Sequence, residues 1–530
     1  MQVEALDAPV RNYIKQLETG YEQRIQELQH NFETKIKEYR EYQYKYLEIK
    51  ERYDLLVYKR FVRSAERLPA DETQQLLFAS EADEPEAAGT AEAEERTEVK
   101  PHSRKKPGRK PLDPGLPRVE RIVDLPETEK TCACGAELAK IGEETSEKLH
   151  IIPPRIYVEK TVRPKYACRC CEGTGDEDEP AVRVAPVEPS VIPRSIATPS
   201  LLSCILIQKF EDHLPYYRQE RQFARIGAAV SRQDMANWQQ QAYRKLEPLF
   251  ALLKAAVKSG PVIQMDETIV QVMGEEGRED TQNSYMWLAR GGPPGRTVVW
   301  YEYHTTRAAY NARTFLEGYA GYLQTDGYEG YDAAVRDMPD IIHVGCFAHA
   351  RRKFFEASKA SGKSQSAQEG IKHIRKLYLL EDELRGKNMG GEQFLIERKA
   401  RAGPILDDFK AWLLKRRDEV PPSLLLGKAI GYSLSQWDKM TKYLDSPYLT
   451  PDNNACENAI RPFVLGRKNW IFCQSPKGAE SSCGIYTLIE TAKQNGLVPL
   501  HYLTAIFEKT PLAALPEDWE KLLPWNIFTA

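Results

Sequence analysis

The chain has 530 residues, 42% of them hydrophobic, which is too long for one compact domain and points to roughly three to five units. Its formal net charge of −3 excludes a uniformly basic protein, so a case for nucleic acid has to rest on local charge. No apolar run approaches the roughly 20 residues of a membrane span, and Met1-Gln-Val-Glu-Ala lacks the basic start and apolar core of a secretory signal, so a cytoplasmic protein with no membrane partner is expected.

Residues 1–68 read as a long helix. Apolar and aromatic side chains recur in steps of three and four from Ile14 and Leu17 through Tyr21, Ile25, Leu28, Phe32 and Ile36 to Tyr53 and Leu56. Charged residues fill the other faces. A period sustained over so many turns predicts a coiled coil that makes a homo-oligomer, with a helix docked on its own protein as the alternative. Tyr58 to Leu68 is basic with interleaved aromatics and reads equally as a phosphate-binding stretch or a solvated helix end. Residues 69–120 are acidic from Glu81 to Glu98, then basic over Arg104-Lys-Lys-Pro-Gly-Arg-Lys-Pro111, with little to bury, which predicts a disordered linker. Arg109 and Lys110 are candidates for contact with an A·T minor groove, against the plainer reading of solvated charge.

Residues 121–190 hold five of the ten cysteines, between Cys132 and Cys171. Clustered thiols without an export signal read as metal ligands. Cys168-x-x-Cys171 has the spacing with which two thiolates hold one tetrahedral zinc; Cys132-x-Cys134 is tighter than usual, and Cys170 could replace a neighbour. A structural Zn²⁺ on Cys132, Cys134, Cys168 and Cys171 is expected. Alternation around Ile156, Val158 and Val162 predicts strands joining the knuckles, as in a zinc ribbon. Residues 191–258 are helical. A helix from Tyr216, a turn at Gly227 and a second helix capped by Ser231 give a helix-turn-helix outline, which would present Arg232, Gln233 and Asn237 to a major groove. An ordinary helix pair remains open.

From Pro261 the period changes to that of strands: Val262 to Met273, Ser284 to Ala289 and Thr297 to Tyr303, then a helix over Ala308 to Tyr319, and strands at Tyr322 to Asp326 and Ile341 to Cys346. This order suits a mixed sheet with helices on its faces. Asp266 and Asp326 close apolar strand-like runs, and Glu457 follows the helix-start signal Asp452-Asn-Asn-Ala-Cys. Three acids so placed are what two-metal phosphoryl transfer needs. Glu267 would point away from Asp266 on the pleat, Asp332 lies beyond the Gly330 turn, and Asp452 reads as a helix cap.

Met265-Asp-Glu-Thr268, Gly321-Tyr-Leu-Gln-Thr-Asp-Gly-Tyr328, Val344-Gly-Cys-Phe-Ala-His-Ala-Arg-Arg-Lys-Phe354, Asp452-Asn-Asn-Ala-Cys-Glu-Asn-Ala-Ile-Arg-Pro462 and Leu465-Gly-Arg-Lys-Asn-Trp-Ile-Phe472 together carry a resemblance. The chain resembles, over almost its whole length, the transposases of the insertion-sequence sixty-six family, DDE enzymes with an RNase H-like catalytic fold. The resemblance implies Asp266, Asp326 and Glu457 as the catalytic acids, binding two Mg²⁺ or Mn²⁺ ions roughly 3.5–4 Å apart. It implies double-stranded DNA, both element ends and target, as substrate, and accessory element-encoded proteins as partners. Sixty residues separate Asp266 from Asp326, and 131 separate Asp326 from Glu457. The second gap leaves room for a helical insertion over 364–445, which would divide the catalytic core into 259–363 and 446–475, with a helical region over 476–530.

His349, Arg351, Arg352, Lys353, Arg461, Arg467 and Lys468 are candidate phosphate contacts, against the alternative of solvated basic faces. Arg461 lies one helical turn after Glu457 and is expected beside it. Two other functions remain open from the sequence: a DNA-binding regulator with inert acids, and an RNase H-like nuclease that does not transpose.

Overall fold

The computed structural model describes residues 8–61, 156–167, 182–360, 365–387 and 389–528. Arg109, Lys110, Cys132, Cys134, Cys168 and Cys171 lie outside the described residues, as does the linker. The chain forms two compact units, Glu84–Val187 and the combination of Met1–Asp83 with Glu188–Ala530.

The expected long helix is α1 (Ala8–Phe61), whose 54 residues make it about 80 Å long. Its stripe faces outward: Tyr21, Ile25, Leu28, Phe32, Tyr39, Ile49 and Leu56 are exposed. The opposite, polar side docks on the protein. Glu51 accepts the Leu425 N–H at 2.8 Å, and Glu48 lies 3.6 Å from the Lys428 ammonium.

In the smaller unit, β1 (Lys165–Ala167) pairs antiparallel with β2 (Val182–Val184), Tyr166 opposite Arg183. Strand structure begins later than the alternation suggested. Residues 156–164 carry no ladder, and Ile156, Val158 and Val162 are exposed. Alternation makes a strand only where a partner edge takes the hydrogen bonds and another layer covers the apolar side.

In the larger unit, four helices lie between residue 188 and the sheet among the described residues. Thr198 caps α2 (Pro199–Phe210) by accepting the Leu201 N–H, with Pro199 at the first position, where a missing N–H costs nothing. α3 (Tyr216–Arg225) turns at Gly227 into α4 (Arg232–Lys245). Gly227 has φ +81°, a left-handed conformation that a β-carbon would strain. Ser231 caps α4 by accepting the Asp234 N–H at 3.1 Å. The helix-turn-helix outline is therefore present, with Arg232, Gln233 and Asn237 exposed. α5 (Glu247–Lys258) leads into the sheet.

The sheet contains β3 (Val262–Val272), β4 (Asn283–Gly291), β5 (Val298–His304), β6 (Gly321–Gln324) and β7 (Ile341–Val344), in the order β5-β4-β3-β6-β7. β3, β4 and β5 are antiparallel neighbours; β6 and β7 join parallel to β3. This is a mixed α/β core. α6 (Ala309–Leu316) connects β5 to β6, and α7 (Glu329–Val335) connects β6 to β7.

After β7 come α8 (Phe347–Ala360), α9 (Gln365–Gly386), α10 (Gly391–Glu419), α11 (Leu425–Ser435) and α12 (Trp437–Thr441). They share a core built on Phe347, Phe354, Leu377, Phe409 and Ile430. The helical insertion thus packs around α8, which starts before residue 364. The chain returns through α13 (Asn454–Trp470), a two-residue β8 (Phe472–Cys473) parallel to the end of β3, α14 (Pro476–Gln494), α15 (Pro499–Lys509) and α16 (Pro516–Glu520). α14 covers the free edge of β5. Thr491 and Thr487 hydroxyls accept the outward N–H groups of Val299 and Tyr301 at 3.1 and 3.0 Å. A strand edge that would otherwise invite pairing is thereby closed.

Candidate active site

Asp266 lies on β3 just past Met265, Asp326 follows the end of β6, and Glu457 lies in the first turn of α13. The parallel pairing of β3 with β6, Gln264 opposite Gln324, carries Asp326, just past the end of β6, alongside Asp266, midway along β3. Glu457 is brought back across the insertion by polar ties. The Gln324 amide donates to Thr450 O at 2.7 Å, and the Asn453 amide donates to Met265 O at 3.0 Å, one residue before Asp266. Asn453 N–H donates to Cys346 Sγ at 3.2 Å, and the Tyr301 hydroxyl to Ala459 O. Each tie fills a buried polar group and fixes where α13 begins.

The carboxylates interact strongly. Burial pushes Asp266 up to about 8, and the Glu267, Glu457 and Asp326 carboxylates push it the same way, opposed by a 2.9 Å hydrogen bond from the Glu267 N–H. Asp326 Oδ1 accepts the Tyr328 N–H at 2.9 Å. Glu457 meets Arg352 at 3.1 Å and His349 at 3.6 Å, but its Oε1 is buried with no hydrogen-bond partner. Crowded acids, one held protonated and another with an idle oxygen, fit a divalent cation, which takes oxygen ligands and neutralises their mutual repulsion.

The competing acids have other partners. Glu267 is paired with Arg307 and receives the Tyr331 hydroxyl, and the Arg307 guanidinium lies 3.7 Å from the centre of the Tyr328 ring. Asp332 bonds His343 at 2.8 Å and Lys439 at 2.7 Å, which hold its carboxyl down at about 2. Asp452 accepts the Asn454 N–H at 3.1 Å at the start of α13.

The basic candidates separate. Arg352 and Lys468 are exposed, Lys353 is half-buried with its ammonium 4.8 Å from the Tyr432 ring, and His349 faces Glu457. Arg351 is 7% exposed and is taken up in the insertion core, so it cannot present its charge to a phosphate. Arg467 donates to Thr268 at 3.1 Å. Arg461 is exposed, but the cation on Glu457 is Arg352, from a different helix. Helical spacing named a neighbour on the same element, whereas α8 crossing α13 supplied a nearer one.

Sequence reasoning passed over Arg307, Asn453 and Tyr432. Arg307 lies in a turn with no periodic pattern. Asn453 carried a signal, since its place in the helix-start run marked it as a hydrogen-bonding residue. Tyr432 lies in the insertion; a β-carbon on Gly327, next to Asp326, would come within 2.7 Å of its ring.

Comparison with known proteins places the chain in a family. The family described as "Transposase IS66 family" matches residues 194–481, "zinc-finger binding domain of transposase IS66" residues 129–172, "IS66 C-terminal element" residues 487–525 and "Transposase C of IS166 homeodomain" residues 48–121. The chain is 32% identical to the uncharacterized protein y4hP of Sinorhizobium fredii over 489 residues, 88% of this chain and 86% of the relative. It is 32% identical to y4jD of the same organism over 422 residues, 78% and 80% of the two chains. The N-terminal match begins at residue 48, so most of the α1 stripe precedes it. Membership of a DDE family implies a transposase, with DNA as its substrate and a divalent metal in its chemistry, and the zinc-finger match implies zinc. No described helix is long and apolar enough to cross a membrane. From the match over more than half its length, with acids converging beside a mixed sheet, the chain belongs to the IS66 family of DDE transposases, with zinc-finger, leucine-zipper and C-terminal elements.

Proposed function

We propose that Asp266, Asp326 and Glu457 carry metal-dependent cleavage at the ends of an insertion sequence and joining of those ends to target DNA. The observation that carries this reading is the elevated Asp266 carboxyl, raised by burial and by the other acids around it. Buried like charges are costly to assemble, so their convergence points to a cation-dependent task. The sheet order, three antiparallel strands followed by two parallel ones, supports the RNase H-like core.

All three acids would hold Mg²⁺ or Mn²⁺. When bound, such ions stabilise the attacking and leaving oxygens of a phosphodiester. The chain's own groups orient the acids: the Glu267 and Tyr328 N–H groups fix Asp266 and Asp326. Arg352 neutralises Glu457 in the free protein. Exposed Arg352 and Lys468, with half-buried Lys353, would meet phosphate groups of the DNA. The exposed Arg218, Arg221 and Arg225 of α3, with Arg232, Gln233 and Asn237 of α4, form the surface for DNA recognition. Arg109 and Lys110 would add minor-groove contacts, and Cys132, Cys134, Cys168 and Cys171 would hold the structural zinc. α1, docked by its polar side with its apolar stripe outward, supports pairing with a second copy.

The test uses purified full-length protein and DNA carrying the element's terminal repeats. Asp266→Asn is expected to retain end binding while Mg²⁺-dependent cleavage and joining fall below about 1% of wild type, in line with losses on removing a charge-stabilising group. Equal cleavage by wild type and Asp266→Asn would overturn the assignment.

A further inference from the structure

Beside the acids lies a second set of donors with different chemistry. Cys346 immediately precedes α8, His349 lies in its first turn, and Glu457 faces them from α13. One sulfur, one nitrogen and one oxygen of these residues lie within 4.8 Å of one another. Among the described residues, both His349 Nδ1 and Glu457 Oε1 are buried without a hydrogen-bond partner. The closest approach between the two side chains, His349 Nε2 to Glu457 Oε1, is 3.6 Å, too long for a hydrogen bond. Buried polar atoms are nearly always satisfied, so two idle ones in a cluster that also holds a thiol call for a ligand.

The donor types choose among ions. Thiol sulfur, imidazole nitrogen and carboxylate oxygen all occur on zinc, whereas Mg²⁺ demands oxygen. The Asn453 N–H donates to the sulfur at 3.2 Å, but burial and the neighbouring Asp452 and Glu457 carboxylates push the thiol up, so only a bound cation would bring it to the thiolate. We propose that Cys346, His349 and Glu457 form a binding site for a zinc-like divalent ion, separate from the zinc of the cysteine-rich segment, with its fourth position open. Tetrahedral bonds of about 2.0–2.3 Å place donor atoms about 3.5 Å apart, so His349 and Glu457 close on Cys346 by side-chain rotation. Binding releases the thiol proton to solvent and forms the sulfur–metal bond.

One consequence rests on the function proposed above. Glu457 cannot serve this ion and the catalytic acids together, so occupancy withdraws the third acid and zinc inhibits the Mg²⁺-dependent reaction. Binding itself does not depend on that reading.

The experiment loads full-length wild type, Cys346→Ser, His349→Gln and Asp266→Asn with zinc, dialyses them against a metal-free buffer and measures zinc per chain by elemental analysis. Cys346→Ser and His349→Gln are each expected to hold about one zinc fewer than wild type, while Asp266→Asn keeps the wild-type number. Cobalt loading gives a second readout: the thiolate-to-cobalt absorption of the wild type should lose intensity in both variants. Equal zinc in wild type and His349→Gln overturns the site. Should Cys346→Ser unfold by near-ultraviolet circular dichroism, His349→Gln decides the question. Unimpaired cleavage by Asp266→Asn would overturn the catalytic assignment and leave the zinc count unaffected.

Discussion

Two buried acids, one in the sheet core and one in the helical insertion, have opposite surroundings. Glu381, on α9, is 6% exposed and meets Arg398 at 2.5 Å and Arg385 at 2.7 Å. Arg398 is itself fully buried and donates to Tyr443 O, Ser446 O and Leu449 O at 2.7–2.9 Å. Here the chain supplies its own cation. Among the described residues Asp266 has no such counterion: the charged groups that act on it most are other acids, and burial pushes it up to about 8. A buried acid with a built-in counterion is structural; one surrounded by its own kind waits for a cation from outside.

That contrast can be broken from either side. The largest effect is expected from Glu381→Gln, which leaves the Arg398 guanidinium buried and uncompensated. It should lower stability by about 3–5 kcal/mol in urea unfolding. A loss below about 1 kcal/mol would mean that the backbone carbonyls alone satisfy Arg398.

Asp266→Asn should act in the other direction. The folded protein keeps this acid protonated up to about pH 8, whereas the unfolded chain releases the proton near pH 4. The folded state therefore binds more protons between those values, and stability falls as pH rises through that window. With solvent relaxation, a gain of about 2–3 kcal/mol for Asp266→Asn over metal-free wild type is expected at pH 8, vanishing towards pH 4. Mg²⁺ should raise the melting temperature of wild type at pH 8 more than that of the variant. A gain independent of pH would place its cause outside Asp266 ionisation.

Gly327→Ala tests the seam between the two regions, since its β-carbon would meet the Tyr432 ring. A stability loss of about 1–3 kcal/mol is expected, and Tyr432→Leu should recover part of it. An additive double variant would show that the two residues do not meet. The smallest effect belongs to Ile471, an exposed β-branched residue with φ +69° at the end of α13. Ile471→Gly should stabilise by about 0.5–1 kcal/mol, read as a small rise in melting temperature.

Much of the site was legible because local chemistry announces itself. Asp266 and Asp326 end apolar runs and Asp452-Asn-Asn signals a helix start, which made these acids and Glu457 candidates; the family resemblance singled them out. Arg351 turns inward, which a run of three cations does not reveal; the packing of α8 against α9 and α11 decides it. Arg461 lost its expected place to Arg352 because spacing along one helix is silent about a crossing helix.

The amino-acid order by itself determined the elements. Periods of two and of three to four residues, caps such as Thr198 and Ser231, and the Gly227 turn are short-range effects carried by a few neighbouring residues. Tertiary structure alone decided that α1 docks by its polar side, that α8 joins the insertion, and that Glu457 meets Arg352, His349 and Cys346. Those outcomes depend on which buried polar atoms find partners across more than a hundred residues of chain. No local pattern encodes such distances, because hydrogen-bond and charge energies are set by the folded neighbours and their burial.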